Sequence, residues 1–337
     1  MDTDNQLGRL PEAREVPEVT VVIPTRDRAA RLPGALASVL GQEDVDLDLI
    51  VVDDGSRDAT PSLLASLEDP RLEVIRHERG KGVAAARNRG IASARGRWVA
   101  FLDDDDLWAP RKLRHQLDAA ALGAASFAYG SAVVVDEHRT VLQYNPARPP
   151  ASIAHALLHR NAIPGGCSNA IATAELLERV GGFDESLSHL ADWDLWIRLA
   201  LAGQAAATSE VVVAYVRHGG NMLIQGQNDV IGEFQRLAHK HRAAGESAGV
   251  KLDRRALYRY LARGHRRAGR HRRAASTYLA LAVAEKSLPD ASRAAAALVG
   301  PPAYELRARV RSRMRRQPPR PLPHVAWLRD QPAHDGR

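Results

Sequence analysis

Four short apolar runs, each closing on polar residues, decide what this chain can fold into. They are VTVVIP (19–24), LDLIVVDDGS (47–56), LEVIRH (72–77) and GRWVAFLD (96–103). β-Branched and aromatic side chains dominate them, the pattern of strands buried on two faces. The stretches between them have helical spacing. RAARLPGALASVLGQ (28–42) places Leu32, Leu36, Val39 and Leu40 on one side and ends near Gly41. DATPSLLASL (58–67) offers Asp58 or Thr60 as N-cap, with Pro61 in the first turn. GVAAARNRGIASA (82–94) is alanine-rich and helical. Strands alternating with helices of about ten residues predict an α/β fold with a parallel sheet and right-handed crossovers.

Beyond the fourth run the pattern is mixed. FAYGSAVVVDE (127–137) and AATSEVVVAYVRH (206–218) read as strands. ASIAHALLHR (151–160), TAELLERVG (173–181) and the strongly amphipathic DWDLWIRLALAG (192–203) read as helices. After about residue 222 the pattern turns helical and basic, which sets a boundary near 222–228. The expected organisation is a disordered stretch over 1–17, an α/β domain over 18–222, a basic helical region over 223–316 and a proline-rich tail over 317–337.

The single cysteine, Cys167, allows no internal disulfide, so a reducing cytoplasm is the expected setting. The start is polar, without an apolar core of signal-peptide length. No stretch approaches the roughly 20 apolar residues of a membrane span. The net charge of +7 is uneven: residues 254–273 hold nine arginines and no acid, and RARVRSRMRR (307–316) is a second basic run. Such runs suit phosphates or the inner face of an anionic membrane, where the protein would sit peripherally. A solvated arginine-rich helix face accounts for them equally well. Few aromatics interleave the arginines, which argues against nucleic acid as a partner.

In an open parallel sheet, ligands bind outside the carboxyl ends of the strands. Three such ends are polar here: PTRDR (24–28), DDGS (53–56) and DDDD (103–106). A single strand-end acid is most often a turn or a cap; three polar ends on one edge make a site. The glycine cradles GxGxxG and GxxxxGK[ST] are absent, so a bound diphosphate needs another source of positive charge. Four consecutive aspartates holding Mg²⁺ or Mn²⁺ provide one, because hard cations take oxygen ligands and share them with substrate phosphates.

VTVVIPTRDRAARLPGALASVLGQ, LIVVDDGSRDAT, GVAAARNRGIASARGRWVAFLDDDDLWAP, LLERVGGFDE and ADWDLWIRLA, in that order and spacing, resemble family 2 glycosyltransferases over about residues 18–220. The resemblance implies the GT-A fold, a Rossmann-like, mostly parallel sheet flanked by helices, with a helical C-terminal extension here. It also implies metal-assisted transfer of a sugar from a nucleoside diphosphate, UDP or dTDP, to a hydroxyl acceptor, with inversion. The acceptor would be a glycan, a lipid-linked sugar or a small molecule. The alternatives are a non-catalytic sugar-nucleotide binder or scaffold, and a nucleotidyltransferase.

Carried over residue by residue, the resemblance assigns Pro24, Thr25 and Arg26 to the nucleotide loop and Asp54 to the base, with Asp53 as substitute. Asp103 and Asp105 match the family's DxD, with Asp104 where a small residue is usual; Asp105 is the favoured metal ligand, and Asp103 would reach the ribose or the metal. Asp192 matches the catalytic base, and the acid that often precedes it is here Ala191. As an N-cap Asp192 would need no catalytic role. Asp194 suits an ion pair with Arg198 better. His218 is a second metal candidate, or simply a residue ending a strand. Lys81 and Arg87 are placed to offset diphosphate charge. PGGCSNA (164–170) presents backbone amides to an acceptor or a phosphate, or only turns the chain; Cys167 is read as a packing residue.

Overall fold

The computed structural model describes residues 16–218, 230–300, 322–323 and 325–329. The 307–316 basic run and the expected boundary at 222–228 lie outside the described residues, as do nearly all of the expected disordered start and most of the proline-rich tail.

Strands β1 (Val19–Thr25), β2 (Leu47–Asp53), β3 (Leu72–Arg76) and β4 (Trp98–Phe101) alternate with helices α1 (Leu32–Leu40), α2 (Thr60–Ala65) and α3 (Val83–Ser93). β5 (Leu107–Trp108), α4 (Lys112–Leu122), β6 (Phe127–Val135), β7 (Val141–Asn145) and α5 (Ile153–Leu157) follow. Then come β8 (Ile171–Thr173), α6 (Ala174–Val180), α7 (Ala191–Ala202) and β9 (Ala205–Val216). One sheet runs β3-β2-β1-β4-β8-β6-β9-β5, with β7 added on β6. β1 pairs in parallel with β2 and β4, β2 with β3, and β6 with β9. β8 runs antiparallel between β4 and β6, so the carboxyl ends of β1, β2, β4, β6 and β9 share one edge.

Alternate residues of the central strands feed two cores, as a pleated strand requires. Val22, Ile50, Val52, Val99, Phe101, Phe127 and Tyr129 face the α3, α6 and α7 side. Val21, Ile23, Leu49, Val51, Trp98, Ala100 and Ala128 face α1 and α4. α3 lies close on β1 because Gly90 has no side chain: a Cβ there would stand 2.3 Å from Val22 Cγ1.

The helical region comprises α8 (Val230–Lys240), α9 (Arg242–Ser247), α10 (Arg254–Arg267), α11 (His271–Ala284) and α12 (Leu288–Val299). Val230, Phe234, Leu237, Leu257 and Leu261 join the core that holds α7. Trp193 and Phe234 meet ring to ring at 6.0 Å. α11 and α12 pack with the end of α10 around Ala262, Ala274, Tyr278 and Ala297, a separate cluster.

Candidate active site

The turn after β1 and the turn after β2 are knitted together. Asp27 N–H donates to Ser56 Oγ, and Asp27 Oδ1 accepts from Arg57 N–H at 2.7 Å. Gly55 sits at φ 76°, and a Cβ there would stand 2.9 Å from Gly80 N, so only glycine lets these backbones approach. Asp54 is buried and fully engaged: Lys81 N–H and Gly82 N–H each donate at 2.8 Å, and His77 Nδ1 lies 2.8 Å away. It therefore fixes the 77–82 loop as the floor of this end. Arg26 bends over that loop, its guanidinium filling the space a side chain at Gly80 would take. Pro24 and Thr25 are buried at the end of β1. Lys81 contributes its amide here, and the residue as a whole is exposed. Asp53 braces the turn by accepting from Ser56 N–H and Arg76 Nη1.

The four aspartates after β4 divide their work. Asp106 is fully buried and ties three elements together, accepting from Ser168 Oγ at 2.5 Å and from Val216 N–H at 2.9 Å. Burial, with Asp105 and Asp103 alongside, pushes its pKa well up. Asp104 lies beside Thr25, with Arg28 Nε at 3.7 Å; burial and Asp105 push its pKa up to about 7. Asp103 meets Arg87 Nη2 at 2.5 Å, and Asp105 meets His218 Nε2 at 2.8 Å. Asp103, Asp104 and Asp105 all keep some solvent access, and Asp106 alone of the four is sealed in.

Among the described residues no group of three His, Cys, Asp or Glu side chains could hold a metal. The Asp105–His218 pair supplies one oxygen and one nitrogen donor at the sheet edge. Such a pair is too few for a permanently caged ion. It fits a Mg²⁺ or Mn²⁺ that arrives with a diphosphate and takes its remaining ligands from phosphate and water.

Asp192 lies in the first turn of α7, half-buried. Its Oδ1 accepts from Trp193 N–H at 2.6 Å and its Oδ2 from Asn161 Nδ2 at 3.1 Å. The N-cap position is Leu190, and the amides of Ser188, His189 and Leu190 donate instead to Glu233 of α8. Glu233 thus holds the chain that leads into α7, while the first-turn amide of Trp193 is met by Asp192 Oδ1. Burial raises the Asp192 pKa; Arg87 and the Trp193 amide oppose that, and Asp103 adds to it. Arg87 is itself buried, over the Phe183 ring, and its positive charge acts on both Asp103 and Asp192. Opposite Asp192 lies the glycine turn: Gly165 and Gly166 have φ 75° and 60°, and a Cβ on Gly166 would stand 3.5 Å from Asp192 Oδ2. Asp194, two residues on, is buried with Arg198, Lys240 and His241 around it, and its pKa is held down at about 2.

Asp106, read from sequence with its three neighbours as a candidate metal ligand, is a buried brace, and Asn161, Ser168, His77 and Glu233 were not singled out by sequence. A lone polar residue carries no local signal, and each acts on a partner distant in the chain.

Residues 20–181 match the family model described as Glycosyl transferase family 2. The succinoglycan biosynthesis protein ExoO of Rhizobium meliloti is 32% identical over 218 residues, which cover 62% of this chain and 62% of that protein. The Escherichia coli protein WfgD, named as a UDP-Glc:α-D-GlcNAc-diphosphoundecaprenol β-1,3-glucosyltransferase, is 29% identical over 181 residues, 54% of this chain and 69% of WfgD. The crystal structure of S. aureus TarS 1–349 in complex with UDP-GlcNAc aligns with a TM-score of 0.58 at 19% identity, covering 83% of this chain and 80% of that one. The fold is GT-A-like, as the motifs predicted.

Proposed function

We propose that this chain, which belongs to glycosyl transferase family 2 through residues 20–181, moves a sugar from a nucleoside diphosphate to a hydroxyl of a lipid-diphosphate-linked sugar, with inversion. The observation that carries the reading is the meeting, on one sheet edge, of a nucleotide-type pocket end at Asp54, an acid–imidazole pair at Asp105–His218 and a half-buried carboxylate at Asp192. The acceptor class follows the name of the relative WfgD. None of the described helices is long and apolar enough to cross a membrane, so a lipid-linked acceptor would be met peripherally.

In this reading Pro24, Thr25, Arg26 and the Asp54-braced loop hold the nucleoside. Asp103, held by Arg87, would reach the ribose or the metal; Asp105 and His218 would hold the ion, with Asp104 against Thr25 behind them. A bound Mg²⁺ or Mn²⁺ would neutralise the charge that develops on the departing diphosphate. The acceptor hydroxyl lies between Gly166 and Asp192. Asp192 takes its proton as the oxygen attacks the anomeric carbon, and the bond from that carbon to the diphosphate oxygen breaks with its electron pair leaving on the phosphate. A single displacement with one base inverts the anomeric centre. Arg87 keeps Asp192 ionised against its burial; Asn161 and the Trp193 amide aim it.

A panel of UDP-, dTDP- and GDP-sugars, scored by thermal stabilisation with Mn²⁺ and with EDTA, tests the donor class. One nucleotide series should raise the midpoint in a concentration-dependent, metal-dependent way, since a ligand that binds only the native state stabilises it by RT ln(1 + [L]/Kd). No response to any nucleotide would overturn the reading.

A further inference from the structure

We infer that the α11–α12 hairpin docks the protein onto an anionic lipid surface, its uncharged outer faces entering the headgroup–acyl boundary and the arginines beside them meeting lipid phosphates. The inference deepens the lipid-linked acceptor reading above, which needs peripheral contact and names no surface for it.

Each helix of the hairpin buries one side and leaves an apolar side uncovered. Inward, Ala274, Ala275 and Tyr278 of α11 pack with Ala294 and Ala297 of α12 and with Ala262 of α10. Outward, α11 exposes Arg272, Ser276, Leu279 and Val283, whose i, i+4, i+7, i+11 spacing draws one line along a helix. α12 repeats the spacing with Leu288, Ser292, Ala295 and Val299, all exposed, and Leu298 flanks them. The outer side of a surface helix is ordinarily its charged side. α12 has only two charged residues, the buried Asp290 and Arg293, and they pair at 2.5 Å, so its outer line carries no charge. Leu279, Val283, Leu288, Leu298 and Val299 are between 54% and 84% exposed, and they are five of the eleven large hydrophobics exposed among the described residues. Scattered singly such side chains are ordinary; gathered on one hairpin they mark a contact face. The link between the helices is only residues 285–287, so Val283 and Leu288 stand at the same end of the hairpin, with the exposed Lys286 between them.

The charge around this face selects its partner. From 254 to 300 the chain carries ten arginines and one lysine against two acids, a formal net charge of +9. Both acids are spent within the helical region. Glu285 takes Arg254 at 2.9 Å and Arg255 at 2.6 Å, and Asp290 takes Arg259 at 2.8 Å besides Arg293. Arg272 opens the outer line of α11, and Arg273 is exposed next to it. A second copy of the chain seated here would bring its own basic region against this one, and like charges repel. An anionic lipid surface supplies both complements at once. Its phosphates suit the guanidinium forks, and its acyl boundary takes up uncharged helix faces.

The test floats the full chain on vesicles of phosphatidylglycerol and of phosphatidylcholine. Leu279→Gln/Val283→Gln on α11 is compared with Leu122→Gln/Leu201→Gln, which changes two exposed leucines of the α/β domain. Wild type should float with phosphatidylglycerol and far less with phosphatidylcholine. The α11 variant should lose affinity for phosphatidylglycerol roughly tenfold or more, because two apolar side chains no longer enter the boundary. The Leu122 and Leu201 variant should match wild type, and UDP with Mn²⁺ should bind all three proteins alike. Equal flotation of the three on phosphatidylglycerol, no flotation of wild type, or equal flotation on both lipids would overturn the inference. A polarity-sensitive fluorophore on Val283→Cys, with the native Cys167 buried, separates the other occupants. It should report an apolar environment only when phosphatidylglycerol vesicles are added. An apolar signal in vesicle-free buffer that fades on dilution would give the face to a second copy, and one that survives dilution would give it to the rest of this chain; either overturns lipid docking. Failure of UDP to bind wild type would overturn the donor reading while leaving the flotation comparison readable.

Discussion

Asp192→Asn should lower turnover by roughly 10²–10⁴, the usual contribution of a positioned general base. The substitution keeps the local structure. The asparagine Oδ1 can still accept from Trp193 N–H, and Asn161 can turn its amide to meet the new amide group. Glu233 holds the chain that leads into α7, and the asparagine keeps the one first-turn amide bond that Asp192 makes. Donor affinity should therefore be unchanged, and the loss should fall on the chemical step. The wild-type profile should also lose activity on acidification above the ordinary carboxylate range, because burial raises the Asp192 pKa and the base acts only when ionised. That acidic limb should vanish in the variant. Turnover within a few-fold of wild type, on the scale of the 10²-fold minimum for a base, would remove Asp192 from the mechanism.

The neighbouring carboxylate should behave in the opposite way. Asp194 is fully buried and takes Arg198 Nη2 at 2.6 Å, His241 Nε2 at 2.8 Å and Lys240 Nζ at 3.0 Å. Asp194→Asn strips the charge from that cluster and should cost about 3–5 kcal/mol of stability, as breaking one side of a buried ion pair does. Its pKa is depressed from 3.8 to about 2, so its ionised form stabilises the fold above the unfolded value. That share, about 2 kcal/mol, is lost as pH falls from near 4 toward 2. Denaturant titrations of the two variants at neutral pH and near pH 3 check both statements. Folded Asp194→Asn enzyme should retain most of its turnover. A stable but inactive Asp194→Asn beside an active Asp192→Asn would exchange the two roles.

The strand–helix alternation from Val19 to Phe101 was legible because both faces of each central strand are buried, which leaves continuous apolar runs with polar ends. β5, with two residues, and β8, with three, were not legible. Runs that short have no period, and their strand character comes from pairing with β9 and β4. β7 is largely half-exposed and mixed in composition, so it carries a weak alternation. In the site, the clustering of PTRDR, DDGS and DDDD on one edge followed from chain direction alone. What sequence does not distinguish is which acids face inward. Asp106 became a buried brace because Ser168 and the Val216 amide reach it, and nothing in four identical letters marks that. The pair Asp194–Arg198 was legible as an i, i+4 contact on a helix. Glu233, which holds amides 43 to 45 residues away, was not.

α8 and α10 are more than an appendage to the sheet. Glu233 fixes the chain that enters the helix carrying Asp192, and Lys240 and His241 hold Asp194 from the same region. The placement of Asp192 thus depends on residues beyond the stretch matched by the family model, 20–181, and Asp192 itself lies beyond that stretch.

The central claim is that the strand-end edge binds a nucleoside diphosphate through a metal on Asp105. Calorimetric titration of UDP tests it most directly, on wild type and on Asp105→Asn, each with Mn²⁺ and with EDTA. The account predicts that wild type binds UDP tightly with Mn²⁺ and weakly in EDTA, and that Asp105→Asn binds it weakly in both. Equal affinity in all four titrations, or no binding in any, would contradict it.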